Sequence, residues 1–318
     1  MNLIYCSSPL QVLIAEQILR LYEGEDFYCV YDGDPKAEKP QYYYQRLLSQ
    51  CRGGCFVPRV YHSNPLRAYL DTCSKLMMAW RLPHIQRVFV ASLESSIFRL
   101  LMSGMRSAEV YTYDDGAINL SPKAFEMMND QDDGGFIRAL RRVVSIPTVS
   151  ELRAMSRRHY TIFTQPNVMP NARLIPLFES PQLAAEEGQG ARRQAILLGQ
   201  RAYTHDETAR DIALAEEVVR RYGITHYLPH PKEDYRIEGV EYIRTPLIAE
   251  DYLLGLLQDE PGLQIELYSY CSTALLNLSS VPRIKVHAIK PEGSMPLLDE
   301  TFDLYRSLGI PMDNISLG

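Results

Sequence analysis

The sequence predicts an α/β protein built from two doubly wound domains facing each other across a cleft. Two observations carry this. Short β-rich runs alternate with helical patterns from the first residue, and after a break near the middle the same rhythm resumes. The length of 318 residues also fits two domains of about 150 residues better than one.

The elements follow in order. Asn2–Cys6 reads as a buried strand. From Pro9 to Tyr22, Leu10, Val12, Leu13, Ala15, Ile18 and Leu19 keep a helical spacing, opened by Ser8-Pro9. Phe27–Tyr31, Cys55–Val60, Arg87–Ala91 and Glu109–Tyr113 are the next strands, with helices over Tyr42–Leu48, Leu66–Trp80 and Ser95–Met102 between them. From about Ala117 to Ser180 the rhythm breaks into a basic, proline-punctuated stretch carrying Arg138, Arg141, Arg142, Arg153, Arg157 and Arg158. Ala184–Arg193 is polar and glycine-bearing and is the best linker. Strands then return at Ala195–Leu198, His226–Leu228, Gln264–Tyr268 and Ile284–Ala288, with helices at Glu207–Tyr222, Glu250–Leu257, Thr273–Leu278 and Leu297–Leu308. The expected domains are 1–185, with the irregular segment at about 117–180, and 194–318.

Composition bounds the function. With 46% hydrophobic and 23% charged residues each half can bury a core, and a net charge of −6 argues against a protein built to bind nucleic acid. The six cysteines form no zinc pattern and read as reduced thiols. The chain opens directly as a strand, and no apolar run reaches the ~18 residues of a bilayer span. The expected location is the cytoplasm, with room for peripheral contact with the inner membrane.

In doubly wound folds ligands bind beyond the carboxyl ends of strands, so four post-strand constellations stand out. Asp114-Asp115-Gly116 follows the fifth strand, where a carboxylate could take a proton from a sugar hydroxyl or merely cap a turn. Gly199-Gln200 follows the first strand of the second domain. His205-Asp206 then opens a helix, where Asp206 is either an anion-site neighbour or an N-cap. Pro229-His230-Pro231-Lys232 clamps a histidine between two prolines, able to donate to a phosphate oxygen, with Lys232 adding charge. Tyr268-Ser269-Tyr270-Cys271-Ser272-Thr273 offers hydroxyls and free amides at a strand-to-helix junction, and Glu250 on the preceding helix could bond a ribose. Asp32-Gly33-Asp34 has the letters of a metal-binding Asp-x-Asp but reads as a turn, and Asp132-Asp133-Gly134-Gly135 lacks a preceding strand. Dinucleotide and P-loop fingerprints are missing, which disfavours NAD and ATP enzymes.

These segments resemble glycosyltransferase family 52, the bacterial lipooligosaccharide sialyltransferases. The resemblance rests on Asn2–Gln11, Tyr113-Asp114-Asp115-Gly116 with Asn119, His230-Pro231-Lys232-Glu233, and Glu266–Ser269 with Ser272–Asn277, in the expected order. It implies a GT-B fold and CMP-sialic acid as donor, with inversion and no metal or other cofactor. The acceptor would be a galactose-containing bacterial surface glycan. The first domain would be the acceptor side and the second the donor side. His230 would act on the departing CMP phosphate. The base would be Asp206, 24 residues before it, or Asp114, the first acid of Asp-Asp-Gly, as in related sialyltransferase families. Pro231, Lys232, Gly199, Gln200, Glu250, Tyr268, Ser269, Ser272 and Thr273 would bind donor. Family members can also carry a membrane-proximal or dimer-forming segment, for which the Ala117–Ser180 stretch is the candidate. Three rivals stand beside it: a GT-B transferase using another donor such as a CDP-linked one, a catalytically inactive sugar-nucleotide-binding protein, and a metal-dependent GT-A enzyme using Asp32 and Asp34.

Overall fold

Five consecutive buried residues, Asn2–Cys6, form β1 in the interior of the first sheet, where a parallel strand covered on both faces takes a largely apolar run such as Leu3–Cys6. The computed structural model describes residues 1–60, 63–120, 143–178, 192–230 and 233–317. These divide into two units, Met1–Leu177 and Phe178–Gly318.

The first unit continues with α1 (Pro9–Leu21), β2 (Phe27–Gly33), α2 (Glu38–Leu48), β3 (Gly53–Pro58), α3 (Pro65–Arg81), β4 (Arg87–Val90), α4 (Ser96–Met102) and β5 (Glu109–Tyr113). Ser8 caps α1 by accepting from the Gln11 amide, with Pro9 in its first turn, and Asn64-Pro65 opens α3 in the same way. The sheet order β3-β2-β1-β4-β5 then extends through two strands the sequence had not disclosed, β6 (Ser156–Thr161) and β7 (Ala172–Leu174), all parallel. Helix α5 (Val149–Met155), with a Thr148–Glu151 capping box, leads into β6. The stretch expected to be irregular therefore contains part of the sheet. Arg138, Arg141 and Arg142, Asp132–Gly135, and residues 184–191 of the expected linker lie outside the described residues.

The second unit contains β8 (Arg192–Leu198), α6 (Thr208–Tyr222), β9 (His226–Leu228), β10 (Glu241–Tyr242), α7 (Ala249–Asp259), β11 (Leu263–Ser269), α8 (Thr273–Leu278), β12 (Ile284–Pro291), α9 (Asp299–Ser307) and β13 (Met312–Ile315). Arg192 and Arg193, expected in the linker, already belong to β8. Gly223, at φ 62°, ends α6 in the left-handed conformation that glycine tolerates best. Strand order is β10-β9-β8-β11-β12-β13, again wholly parallel. Each unit thus repeats the Rossmann order, with its first strand beside its fourth. At that pair the direction of winding reverses, and loops leaving the carboxyl ends part to form a crevice. The topology therefore points to the residues after β1 and β4 in one unit, and after β8 and β11 in the other.

Candidate active site

In the first unit the crevice after β1 and β4 is lined by hydroxyls. Ser7 Oγ lies 2.9 Å from Ser92 Oγ, Gln11 Nε2 donates to Ser92 Oγ at 2.8 Å, and the Ser7 amide donates to Gln11 Oε1 at 2.6 Å. Ser92 in turn donates to Asp115 Oδ2 at 3.0 Å, which holds this half-buried carboxylate at the rim. Glu94, in the turn after β4, is exposed at the same rim. Loss of water against the strand ends, and then the carboxylates of Asp115 and Asp32, nevertheless push its carboxyl up to about 7.

Asp114 is placed differently. It is fully buried, and both oxygens are occupied: His159 Nε2, Asn119 Nδ2 and Asn167 Nδ2 meet Oδ1 at 2.9, 3.2 and 3.2 Å, and the Ile162 amide donates to Oδ2 at 2.8 Å. Thr112 Oγ1 contacts His159 Nδ1 at 2.9 Å and fixes the ring from the other side. A carboxylate so engaged ties β5, β6 and the 162–167 loop together and has no lone pair turned to solvent.

In the second unit the loop after β8 and the turn after β9 meet in a pocket of about 290 Å³ lined by Gln200, Arg201, His230 and Glu233. Gly199 is required by proximity. A Cβ there would stand 2.4 Å from Glu233 Oε2 and 2.5 Å from the Tyr227 hydroxyl, two atoms that already share a 2.7 Å hydrogen bond. The Cys271 thiol, pushed up to about 12 by burial, stays protonated and donates to Gln200 Oε1, leaving Gln200 Nε2 for an acceptor in the pocket. Arg201 contacts Thr208 and the buried Asp211 at 3.1 and 3.4 Å, ion-pairs with Asp234, and stacks over Tyr235. Asp211 also accepts from the Ala202 and Tyr203 amides at 2.8 and 3.2 Å, which folds the whole 199–204 loop onto α6. Burial raises the Asp211 and Glu233 carboxyls, and Glu233 Oε1 is buried with no hydrogen-bond partner among the described residues, an acceptor matched to a hydroxyl or amino group of a ligand.

His230 is exposed at the pocket, and its carbonyl accepts from the Glu233 amide at 2.9 Å, closing the turn. Pro231 and Lys232 lie outside the described residues. Asp206 is exposed in a short 3-10 turn, and the capping expected of it falls instead to Thr204 with Glu207. His205, its neighbour, reaches Asp234 at 3.6 Å, so Asp234 laces this loop to the turn that carries His230. Ser269 is fully buried with Oγ unpartnered among the described residues, and Ser272 caps α8 beside an exposed Thr273. Glu250 is buried and accepts from Asn277 Nδ2 at 2.8 Å, tying α7 to α8. Tyr268 stacks on His287 and points its hydroxyl back to Glu266, within the core. The Asp32-Gly33-Asp34 letters are split: Asp32 lies in β2, buried against Arg59 at 2.8 Å, and only Asp34 makes the expected turn.

Sequence reading missed Arg201, Asp211, Glu233 and Glu94. Glu233, two residues after the His-Pro pair, stood within a segment that carried the resemblance but had no role given to it; the others are identified only by their tertiary partners.

Two outcomes follow from this geometry. Asp114→Ala strips four donors of their acceptor and should cost about 3–5 kcal/mol in urea denaturation; a loss below ~1 kcal/mol contradicts the buried-anchor reading. Glu94, raised when folded above an ordinary carboxyl, stabilises the fold most when protonated, so wild type loses this contribution as pH rises from about 4.5 to about 7. Melting temperatures of Glu94→Gln, relative to wild type, should therefore climb between pH 5 and 8, and a flat difference counts against the shift.

The profile of glycosyltransferase family 52 matches residues 24–293. The CMP-N-acetylneuraminate:beta-galactoside alpha-2,3-sialyltransferase of Pasteurella multocida (strain Pm70) is 34% identical over 324 residues, covering 99% of each chain. The N-acetyllactosaminide alpha-2,3-sialyltransferase of Neisseria meningitidis serogroup A is 30% identical, covering 98% of this chain and 85% of the relative. Among solved structures, LpCGTa in complex with UDP aligns with a TM-score of 0.54 at 12% identity, over 99% of this chain and 84% of that one, a likeness of fold alone. Two parallel Rossmann-like sheets of the GT-B type, the matched profile and a relative similar along its whole length lead to one conclusion: the chain belongs to glycosyltransferase family 52.

Proposed function

We propose that the protein is an inverting sialyltransferase that moves sialic acid from CMP-sialic acid to a galactose-containing acceptor of a bacterial surface glycan, forming an α-2,3 linkage. The observation that carries this reading is the pocket at the carboxyl edge of β8 and β9, where Gln200, Arg201, His230 and Glu233 converge beside Gly199. The full-length relatives, named as alpha-2,3-sialyltransferases, supply the donor and the acceptor class.

The second unit takes the donor. A protonated His230 donates to a phosphate oxygen of CMP as the bond from the sugar's anomeric carbon to that phosphate breaks, stabilising the charge that develops. Gln200 Nε2 adds a second donor. Arg201 is compensated by Asp211 and Asp234, so it shapes the wall more than it adds net charge. The orphaned Glu233 Oε1 accepts from a hydroxyl or amino group of the nucleotide. Ser272 and Thr273, where β11 gives way to α8, are further phosphate contacts.

The acceptor hydroxyl attacks the anomeric carbon from the side opposite CMP and loses its proton to a carboxylate. Asp206 is that base: it is exposed, free of capping duty, and on the loop laced to the His230 turn. Asp114, sealed among four donors, organises the first unit, where Asp115 and Glu94 are the carboxylates at the rim. A single phosphate leaving with one or two hydrogen-bond donors needs no divalent clamp.

The test is transfer from CMP-sialic acid to lactose, with the linkage read by NMR. Wild type should turn over undiminished in EDTA. His230→Ala and Asp206→Ala should each lose about 10²–10³ in kcat while keeping wild-type melting temperatures. Near-normal turnover by His230→Ala, or transfer from CDP-glycerol but not CMP-sialic acid, overturns the assignment.

A further inference from the structure

Asp234 is an exposed carboxylate directly after Glu233 and bound to Arg201, two residues that line the pocket of the second unit. A negative charge beside a site for a departing phosphate opposes the ligand, so its placement needs a compensating use. Asp234 joins three pieces of this unit. Oδ1 accepts from Nη2 of Arg201, and Oδ2 lies 3.6 Å from Nε2 of His205. Its backbone continues the turn that the His230 carbonyl and the Glu233 amide close at 2.9 Å.

The two carboxylates that neighbour Arg201 are not equivalent. Asp211 commits Oδ1 to the Ala202 and Tyr203 amides at 2.8 and 3.2 Å, and its Oδ2 meets Arg201 only at 3.4 Å. Burial raises the Asp211 carboxyl, which makes it the weaker counter-ion. The hydrogen bond from Arg201, and then its charge, hold the Asp234 carboxyl below the usual carboxylate range. Thr208 Oγ1 at 3.1 Å and the Tyr235 ring, 5.3 Å from the guanidinium carbon, also keep Arg201 in place. Removing the charge of Asp234 therefore leaves Arg201 at the pocket wall with more of its field directed inward.

The contact with His205 works on geometry. At 3.6 Å, with 77% of the imidazole and 53% of the carboxylate side chain exposed, it adds little to stability. Thr204 and Glu207 cap each other and so tie the 204–207 turn to itself. The His205–Asp234 pair instead crosses from the turn bearing Asp206 to the turn bearing His230.

We propose that Asp234 is a positioning residue with two opposed effects: it neutralises Arg201, which loosens the hold on the nucleotide, and it holds His205, which keeps Asp206 in register with His230 for transfer. This rests on the reading of the pocket as the donor site with Asp206 as the base. It gives the carboxylate a use beside a phosphate site, because a CMP held less tightly leaves sooner after transfer.

Calorimetric titration of the full chain with CMP, alongside transfer from CMP-sialic acid to lactose, separates the two effects. Asp234→Asn keeps the shape and the acceptor for Arg201 but drops the charge. It should bind CMP about threefold to fivefold more tightly and turn over about fivefold more slowly. His205→Ala should lower kcat by a similar factor with CMP affinity unchanged, and His205→Lys, which supplies a cation again, should restore turnover. In the double variant Asp234→Asn with His205→Ala, the tighter binding should persist while kcat falls no further than in either single variant. Melting temperatures should stay within about 3 °C of wild type. A residue that only holds the fold would instead weaken binding and slow turnover together. CMP binding by Asp234→Asn no tighter than wild type, or losses in kcat that multiply in the double variant, would overturn this proposal and leave the donor reading intact. A wild type that neither binds CMP nor transfers sialic acid would overturn the donor reading and this proposal with it.

Discussion

In each unit a buried carboxylate lies beneath the loops that leave the strand ends and holds them by their amides. Asp211 gathers the Ala202 and Tyr203 amides and the Arg201 guanidinium. Asp114 gathers the Ile162 amide with His159, Asn119 and Asn167. A parallel sheet alone provides only diverging loops at its carboxyl edge; a low-dielectric carboxylate with both oxygens hydrogen-bonded turns them into fixed walls. Desolvation makes such an anchor costly to leave half-paired, and this keeps the loops in one arrangement.

With the walls fixed, the functional groups separate by exposure. Asp114 and Asp211 are sealed from solvent and structural, while His230, Asp206 and Glu94 reach it. Arg201 is the informative intermediate case. It lines the pocket, yet its charge is spent on Asp211 and Asp234, so the pocket's remaining nitrogen-bearing side chains are the imidazole of His230 and the amide of Gln200. The absence of a side chain at Gly199 belongs to the same design, since any Cβ would push apart the Tyr227–Glu233 pair that forms the pocket floor.

Much of this was legible in the sequence because the signals were local. Continuous apolar runs such as Asn2–Cys6, caps such as Ser8-Pro9 and Ser272, and the proline-clamped His230 need no tertiary partner to be recognised. Strand β6 escaped because the exposed Arg157 and Arg158 interrupt Ser156–Thr161, and β7 because Ala172–Leu174 is only three residues long and exposed throughout. The roles within acidic pairs escaped for a different reason. Nothing in the letters Asp114-Asp115 says which carboxylate turns inward; that depends on His159 and Asn167, about fifty residues away, arriving at the same place. The exposed Leu66, Leu70, Met77 and Trp80 of α3 have the same periodicity as a core face, and only the packing of Leu76 and Ala79 reveals which face is buried.

The central claim is that the pocket after β8 and β9 receives the nucleotide end of the donor. Calorimetric titration of the full chain with CMP tests it most directly, comparing wild type with Gly199→Ala and Glu94→Gln. The expected result is a single site on wild type, weakened at least about tenfold in Gly199→Ala, where the new methyl displaces Glu233, and unchanged in Glu94→Gln. CMP binding indifferent to Gly199→Ala would contradict the placement of the donor.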